Sequence, residues 1–94
     1  MRLAYHPQVQ RDVNRILRHY DQISSRLGDE FWEELMRLVA LVRAKPERFH
    51  FGDRGLRPAN MRRFPYHLMF RQRPQGVRVI VLRHTRDGPV MARH

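Results

Sequence analysis

The sequence predicts an α+β fold in which an N-terminal helical hairpin packs on a small, mainly antiparallel twisted sheet. Two amphipathic helical patterns follow one another in the first half of the chain, and apolar strand-like runs separated by turn residues fill the second half. A chain of 94 residues forms one domain, and a layer of helices on one sheet suits a core of that size. We therefore expect a single domain over residues 1–94.

The first elements are a short strand at Leu3 to Tyr5 and a helix that begins at Pro7. Proline is favoured at the first helical position because its missing N–H would have no partner there, and His6 then occupies the cap. Apolar residues recur at helical spacing on one side of this helix, with polar residues opposite. These apolar residues are Val9, Val13, Ile16, Leu17 and Tyr20.

A second helix follows a brief break around Asp21 to Ser24 and ends before Pro46, since the residue before a proline avoids helical geometry. Its apolar positions are Leu27, Phe31, Leu35, Leu38, Val39 and Val42. The acids Asp29, Glu30, Glu33 and Glu34 cluster in its early turns, where the helix dipole favours them. Trp32 and Met36 lie beside the apolar stripe, which indicates a widened core face or a partner-binding ridge, and we favour the widened core.

An irregular segment at Glu47 to Asn60, which is rich in glycine and proline, is expected to connect the helices to the sheet. Met61 to Phe64 and Tyr66 to Arg73 are predicted strands, and Pro74-Gln75-Gly76 is a predicted turn. Val77 to His84 is apolar on both faces in its middle and should be the central strand.

The positive charge is concentrated in the second half of the chain. From Arg54 to His94 there are ten arginines and one acid, Asp87, and the whole chain has a net charge of +10. Because these arginines alternate with strand-like runs, the basic surface is predicted to lie on the sheet. Such a surface can bind nucleic acid, bind an acidic protein, or simply be solvated and keep the protein soluble. The excess of arginine over lysine is also typical of a G+C-rich genome. An acidic partner would relieve the self-repulsion of the isolated chain.

Several chemistries are excluded by composition and spacing. There is no cysteine, so disulfides, thiolate nucleophiles and Cys-based metal sites are absent. The six histidines contain no pair three to five residues apart, and we expect no metal and no cofactor. No apolar run resembles a signal peptide or reaches membrane-spanning length, so we expect a cytoplasmic protein without a membrane partner.

His84, at the end of the predicted central strand, is the candidate catalytic residue. Arg83 and Arg86 flank it, and Arg62 and Arg63 are available from an adjoining predicted strand. A histidine that moves protons and arginines that stabilise a pentacoordinate phosphate could cleave RNA without metal. The alternative is a strand-end histidine that is hydrogen-bonded to a neighbouring loop. We favour this alternative, because position alone is weak evidence of catalysis.

Three passages together resemble the RelE/ParE superfamily of bacterial toxins from type II toxin-antitoxin pairs. The first is His6-Pro7-Gln8-Val9 with Asp12, Ile16 and Tyr20-Asp21, and the second is Leu27-Gly28-Asp29-Glu30-Phe31 with Leu35 and Lys45-Pro46. The third runs from Arg62-Arg63-Phe64-Pro65-Tyr66-His67-Leu68-Met69-Phe70 to Val79-Ile80-Val81-Leu82-Arg83-His84-Thr85-Arg86-Asp87. Their shared order covers the chain from about Tyr5 to Asp87.

The resemblance implies a toxin with a helical hairpin on a sheet, held inactive by an antitoxin whose acidic, amphipathic carboxy-terminal segment wraps its surface. The residues expected to bind that antitoxin are Trp32, Met36, Arg57, Arg71 and Arg78. A disordered acidic segment would combine apolar burial with charge pairing as it folds onto the toxin.

Members of this superfamily either poison DNA gyrase or cut mRNA on the ribosome, and the fold does not distinguish the two. Ribosome-dependent nucleases of this superfamily usually carry a late tyrosine or further lysines and acids around the sheet, but this chain has a single lysine, Lys45, and no tyrosine after Tyr66. Phe64-Pro65-Tyr66, His84-Thr85-Arg86-Asp87 and the long helical hairpin are more similar to the ParE branch. We therefore expect a gyrase poison, although the tail from Gly88 to His94 lacks the aromatic residue that is often found there.

Two other functions remain as alternatives to gyrase poisoning. In a gyrase poison, the target-binding residues would be Arg62, Arg63, Arg83, His84 and Arg86, and none would be catalytic. A metal-independent, ribosome-dependent mRNA endonuclease would instead use His84, Arg83 and Arg63 in catalysis. A non-catalytic nucleic-acid-binding module is the third possibility, although the acid cluster of the helices disfavours it.

Overall fold

Two α-helices pack on one face of a four-stranded mixed sheet in the computed structural model, which describes residues 2–87. The elements are β1 (Arg2–Tyr5), α1 (Pro7–Ile23), α2 (Ser25–Ala44), β2 (Arg57–Asn60), β3 (Tyr66–Arg73) and β4 (Gly76–His84). The strand order is β1-β4-β3-β2, with β1 parallel to β4 and the other neighbours antiparallel. The predicted α+β fold, a helical hairpin on a mainly antiparallel sheet, is confirmed.

Side-chain caps define where the two helices begin. Nδ1 of His6 accepts a hydrogen bond from the Gln8 amide at 3.1 Å, and Pro7 follows as the first helical residue, as predicted. Ser24 Oγ caps α2 by accepting from the Leu27 amide at 3.0 Å. The break between the helices is the single extended residue Ser24, so α1 is longer than the sequence pattern indicated.

The main core lies between the helical hairpin and the inner face of the sheet. Its buried members include Val9, Val13 and Ile16 of α1, Phe31, Leu35, Val39 and Val42 of α2, and Leu68, Phe70, Val77, Val79 and Leu82 of the sheet. The apolar stripes that the helical spacing predicted are the faces that the hairpin buries. Periodicity located this core because the residues that repeat along one side of a helix share its buried face.

The strand β4 is buried on both faces, as predicted for a central strand. Val77 and Val79 face the helices, whereas Ile80 and Val81 pack with Leu56 in a smaller cluster on the outer face. A register irregularity opposite Met69 and Phe70 leaves Ile80 as an extra residue in β4. This bulge allows two consecutive apolar residues to join the outer cluster.

The first strand of the antiparallel part was predicted in the wrong place. Met61 to Phe64 do not form a strand, because residues 62–65 are a bend. The strand is instead Arg57–Asn60, inside the segment expected to be irregular. Pro58 favoured an irregular segment in the sequence, but β2 is an edge strand, where a proline can point its nitrogen away from the sheet. The turn before β4 is also shorter than predicted, because Gly76 already belongs to the strand.

None of the helices within residues 2–87 is both long enough and apolar enough to cross a membrane. The tail from Gly88 to His94, on which the sequence departs from the ParE pattern, lies outside the described residues.

Replacement of Gly76 by alanine should destabilise the sheet. A Cβ at this position would lie 1.9 Å from the backbone oxygen of Arg2, so β1 would have to move away from β4. We expect Gly76→Ala to lower the free energy of unfolding by about 1 to 3 kcal/mol, the range for overpacking. Urea denaturation measures this change, with Gln75→Ala at the exposed neighbouring position as the control. Equal stability of the two variants would contradict the close approach of β1.

Candidate functional site

The candidate site lies at the end of the sheet where β3 begins and β4 ends. Tyr66 and His84 are direct partners in the register of these strands. The bend of residues 62–65 precedes β3, and a short 3-10 helix, Thr85–Asp87, follows β4. A hydrogen bond of 2.9 Å from the Thr85 amide to the Pro65 carbonyl joins these two segments. Four predicted target-binding residues belong to them or border them: Arg62, Arg63, His84 and Arg86. We call this region the arginine-rich end.

Acidic residues of α2 hold the bend in place. The carboxylate of Glu34 accepts hydrogen bonds from the backbone amides of Arg62 at 2.6 Å and Arg63 at 3.2 Å. The Arg63 guanidinium forms an ion pair with Glu30, which also pairs with Arg26 at 3.0 Å. Glu30 and Glu34 therefore anchor the arginine-rich end to α2. The expected dipole effect is wrong, because α2 begins at Ser25 and none of the clustered acids lies in its first turn.

An aromatic cluster packs against the arginine-rich end on the helix side of the sheet. Tyr20 of α1 lies 5.0 Å from Phe64 and 5.4 Å from Phe31 between ring centroids, and Phe31 contacts both Phe64 and Tyr66. Burial raises the pKa of the Tyr20 hydroxyl, and the neighbouring Tyr66 hydroxyl raises it further. Tyr20 therefore keeps its proton at neutral pH, and its neutral ring joins bend, strand and helices in one rigid support.

The imidazole of His84 is part of this support. Its ring packs edge-on against Tyr66, with 5.2 Å between centroids, and its Nδ1 accepts a hydrogen bond of 3.0 Å from the Arg86 amide. With Nδ1 accepting, the neutral ring carries its proton on Nε2. This bond is the interaction expected for a strand-end histidine bound to the adjacent loop, the alternative to a catalytic role.

The three residues that a nuclease would use are not gathered on one surface. His84 faces the helices with Tyr66, whereas Arg83 is paired in register with His67, whose side chain lies on the outer face of the sheet. Arg63 lies in the bend beside α2, in its ion pair with Glu30. Consecutive strand residues point to opposite faces, so β4 itself separates Arg83 from His84.

The arginines predicted to bind an antitoxin lie on both faces of the sheet. Arg71 and Arg78 face each other across β3 and β4 on the outer face. Arg57 is paired with Phe70 and points to the helix side, where it donates to the Phe49 carbonyl at 2.6 Å and lies over the Phe51 ring. Arg57 thus fastens the segment before β2, a role that no local pattern indicates.

Trp32 and Met36 border an apolar groove that runs along α2 towards β1. One part of it lies beside Trp32 and Met36, and the other, with a volume of about 510 Å³, lies between α2 and β1. The residues that line the two parts include Leu3, Tyr5, Val9, Val13, Trp32, Met36, Val39, Ala40 and Arg43. Met36 packs on the core, as predicted. Trp32 is 44% exposed, so the prediction that its side chain widens the core is wrong.

The sequence interpretation missed the anchoring role of Glu34 and the groove wall formed by Tyr5. Spacing could have suggested the first, since Glu30 and Glu34 are one helical turn apart and share a face. Tyr5 is in a short strand whose neighbours become apparent only in the folded chain.

No group of three histidine or acidic side chains that could hold a metal ion is found within residues 2–87. No protein-family model and no curated protein matches the chain. The fold and the geometry of the arginine-rich end therefore carry the functional argument.

The anchoring role of Glu34 predicts a measurable effect of its removal. Glu34→Ala leaves two backbone amides without their acceptor, so we expect a loss of about 1 kcal/mol in the free energy of unfolding and faster hydrogen exchange at the Arg62 and Arg63 amides. The control is Glu33→Ala, because Glu33 is exposed on the same turn of α2. Exchange rates at the bend that stay the same in Glu34→Ala would contradict the anchor.

Proposed function

We propose that the protein is a toxin of a type II toxin-antitoxin pair of the RelE/ParE superfamily, that it arrests growth by poisoning DNA gyrase, and that a cognate acidic antitoxin neutralises it in the cytoplasm. The proposal begins from the order of sequence passages that resemble this superfamily. The observed order of a strand, two helices and three further strands agrees with the fold that the resemblance implies.

The observation that carries the choice of gyrase over mRNA is the separation of Arg83, His84 and Arg63. General acid-base cleavage of RNA needs a proton-transferring group and cations around the same phosphate. Here His84 packs on Tyr66 with Nδ1 in a hydrogen bond, Arg83 is on the opposite face, and Arg63 pairs with Glu30. This arrangement favours a binding surface over a catalytic centre.

A binding role suits the cations that remain accessible at the arginine-rich end. Arg62 and Arg86 are exposed. Hydrogen bonds to Glu34 and His84 hold their backbone amides in place. Two guanidinium groups on a fixed platform can contact phosphates or carboxylates of a protein-DNA complex by charge-assisted hydrogen bonds. A poison needs only to stabilise one state of its target, so no bond-breaking group is required of the toxin.

The proposed antitoxin would bind elsewhere on the chain. The groove beside Trp32 and Met36 offers apolar burial, and Arg71 and Arg78 offer charge on the outer face. A net charge of +10 favours an acidic partner for the whole molecule.

Precursor incorporation during the first minutes of expression tests the target. We expect incorporation of labelled thymidine to fall before that of labelled methionine, because a gyrase poison stops replication first. The chain is expressed from a tightly repressed promoter, and co-expression of the neighbouring gene product should restore growth. An early fall in methionine alone would support mRNA cleavage, and unimpeded growth would support a plain binding module.

Substitutions at the arginine-rich end separate binding from catalysis. We expect the double variant Arg62→Glu, Arg86→Glu to lose growth arrest, because the new carboxylates repel the phosphates of the target. His84→Asn, whose side-chain oxygen can accept from the Arg86 amide in place of Nδ1, and Arg83→Ala should each retain growth arrest. The double variant Arg11→Glu, Arg18→Glu, at two exposed positions of α1, is the charge-matched control and should remain toxic. Far-UV circular dichroism verifies that every variant folds. Loss of toxicity in both His84→Asn and Arg83→Ala, with the double variant Arg62→Glu, Arg86→Glu still toxic, would contradict the proposal.

A further inference from the structure

The strand β1 has one edge that pairs with no other strand among the described residues. It lies at the end of the sheet order, next to β4. The amides of Arg2 and His6, at the two ends of this segment, donate to carbonyls on the β4 side at 2.9 and 2.8 Å. Hydrogen bonding alternates along a parallel strand, so the N–H and C=O groups of Leu3 and Tyr5 point away from β4. These groups form a donor and acceptor row at the open edge.

The opposite edge of the sheet is less suited to pairing. In β2 the Met61 amide next to the strand donates to the Tyr66 carbonyl, so the alternation turns Pro58 and Asn60 outward. Pro58 has no N–H, and an edge strand that carries proline is protected from strand addition. Within residues 2–87, the β1 edge is therefore the open side of this sheet.

An apolar groove lies directly beside that open edge. The side chains of Leu3 and Tyr5 face the helices and form one wall, while Met36, Val39 and Ala40 of α2 form the other. The groove has a volume of about 510 Å³. A strand added to β1 would point every second side chain into this groove, since strand side chains alternate between faces.

The outer face next to the same edge is cationic. Ala4 of β1 is paired with Arg78, and Arg78 lies directly opposite Arg71. Like charges directly opposite across a strand pair are destabilising. Among the side chains that the structure describes, no carboxylate forms an ion pair with either arginine. The outward side chains of an added strand would lie within reach of Arg78, so acids there would offset the repulsion.

We propose that the β1 edge binds an extended segment of a partner protein in which apolar side chains alternate with acidic ones. The apolar side chains enter the groove between β1 and α2, and the acidic ones face Arg2 and Arg78. The identification of this partner with the antitoxin rests on the proposed function, but the edge, the groove and the arginines do not. A second copy of the chain is disfavoured at this edge, because pairing β1 with another β1 would bring two Arg2 side chains and further positive charge together.

Binding of a synthetic peptide to the full chain tests the proposal. The probe is a short fluorescein-labelled peptide in which valine and glutamate alternate, and fluorescence anisotropy measures its dissociation constant. We expect saturable binding, with slower hydrogen exchange at the Leu3 and Tyr5 amides by NMR. The same residues arranged in two blocks, and an alternating valine and lysine peptide, are the controls and should bind at least about tenfold more weakly.

Matched proline variants test which edge is used. Tyr5→Pro removes an outward N–H and keeps the hydrogen bonds to β4, so we expect about tenfold weaker binding. Asn60→Pro removes an outward N–H from the other edge and should leave the dissociation constant unchanged. Tyr5→Val, which keeps the N–H, separates loss of the ring from loss of the donor, and Arg78→Glu should weaken binding through charge alone.

Each contrary outcome identifies what failed. Absence of saturable binding overturns the proposal, as does binding without protection of the Leu3 and Tyr5 amides. Protection that rises with protein concentration in the absence of peptide would show that a second copy occupies the edge instead. If the chain arrests growth but does not bind the peptide, only this inference is overturned. If it binds the peptide but does not arrest growth, only the proposed toxin function is overturned.

Discussion

The double-sided burial of β4 is the constraint on which the rest of the structure depends. Val77 and Val79 need a helical layer on the inner face, while Ile80 and Val81 need a small cluster on the outer face. A strand with apolar side chains on both faces must be central, so strands pair on both of its sides. The chain supplies β3 through a tight turn and β1 from its start, and the parallel pairing of β1 requires the long helical connection. The helical hairpin is thus both the crossover and the cover of the sheet.

This arrangement distributes the positive charge into separate groups. Because side chains alternate along β3 and β4, Arg71, Arg78 and Arg83 share the outer face, and His84 lies with the aromatic cluster inside. Two acids of α2, Glu30 and Glu34, are engaged at the bend of residues 62–65. On the outer face, no carboxylate among the described side chains forms an ion pair with Arg71 or Arg78.

The same topology decides where a partner can add a strand. An N-terminal strand at one end of the sheet leaves an open edge beside the groove of α2, and the other end carries Pro58. The arginine-rich end lies where β3 begins and β4 ends, beyond the residues of β4 that pair with β1. The proposed target surface and the proposed partner edge therefore lie at different places on the sheet.

The sequence by itself determined the helical hairpin, its buried stripes, the central strand and the basic character of the sheet, because each depends on residues close together in the chain. It did not locate β2, since a proline that breaks an interior strand is tolerated at an edge, and edge position is a property of the sheet. Only the tertiary structure decided that Glu34 anchors Arg62, a contact between residues 28 positions apart. The tertiary structure also decided on which face of the sheet each arginine lies. A register shift of one residue, or the bulge at Ile80, moves a side chain to the opposite face. Local patterns specify which surfaces are apolar or charged, whereas strand register and long-range packing determine which of those surfaces meet.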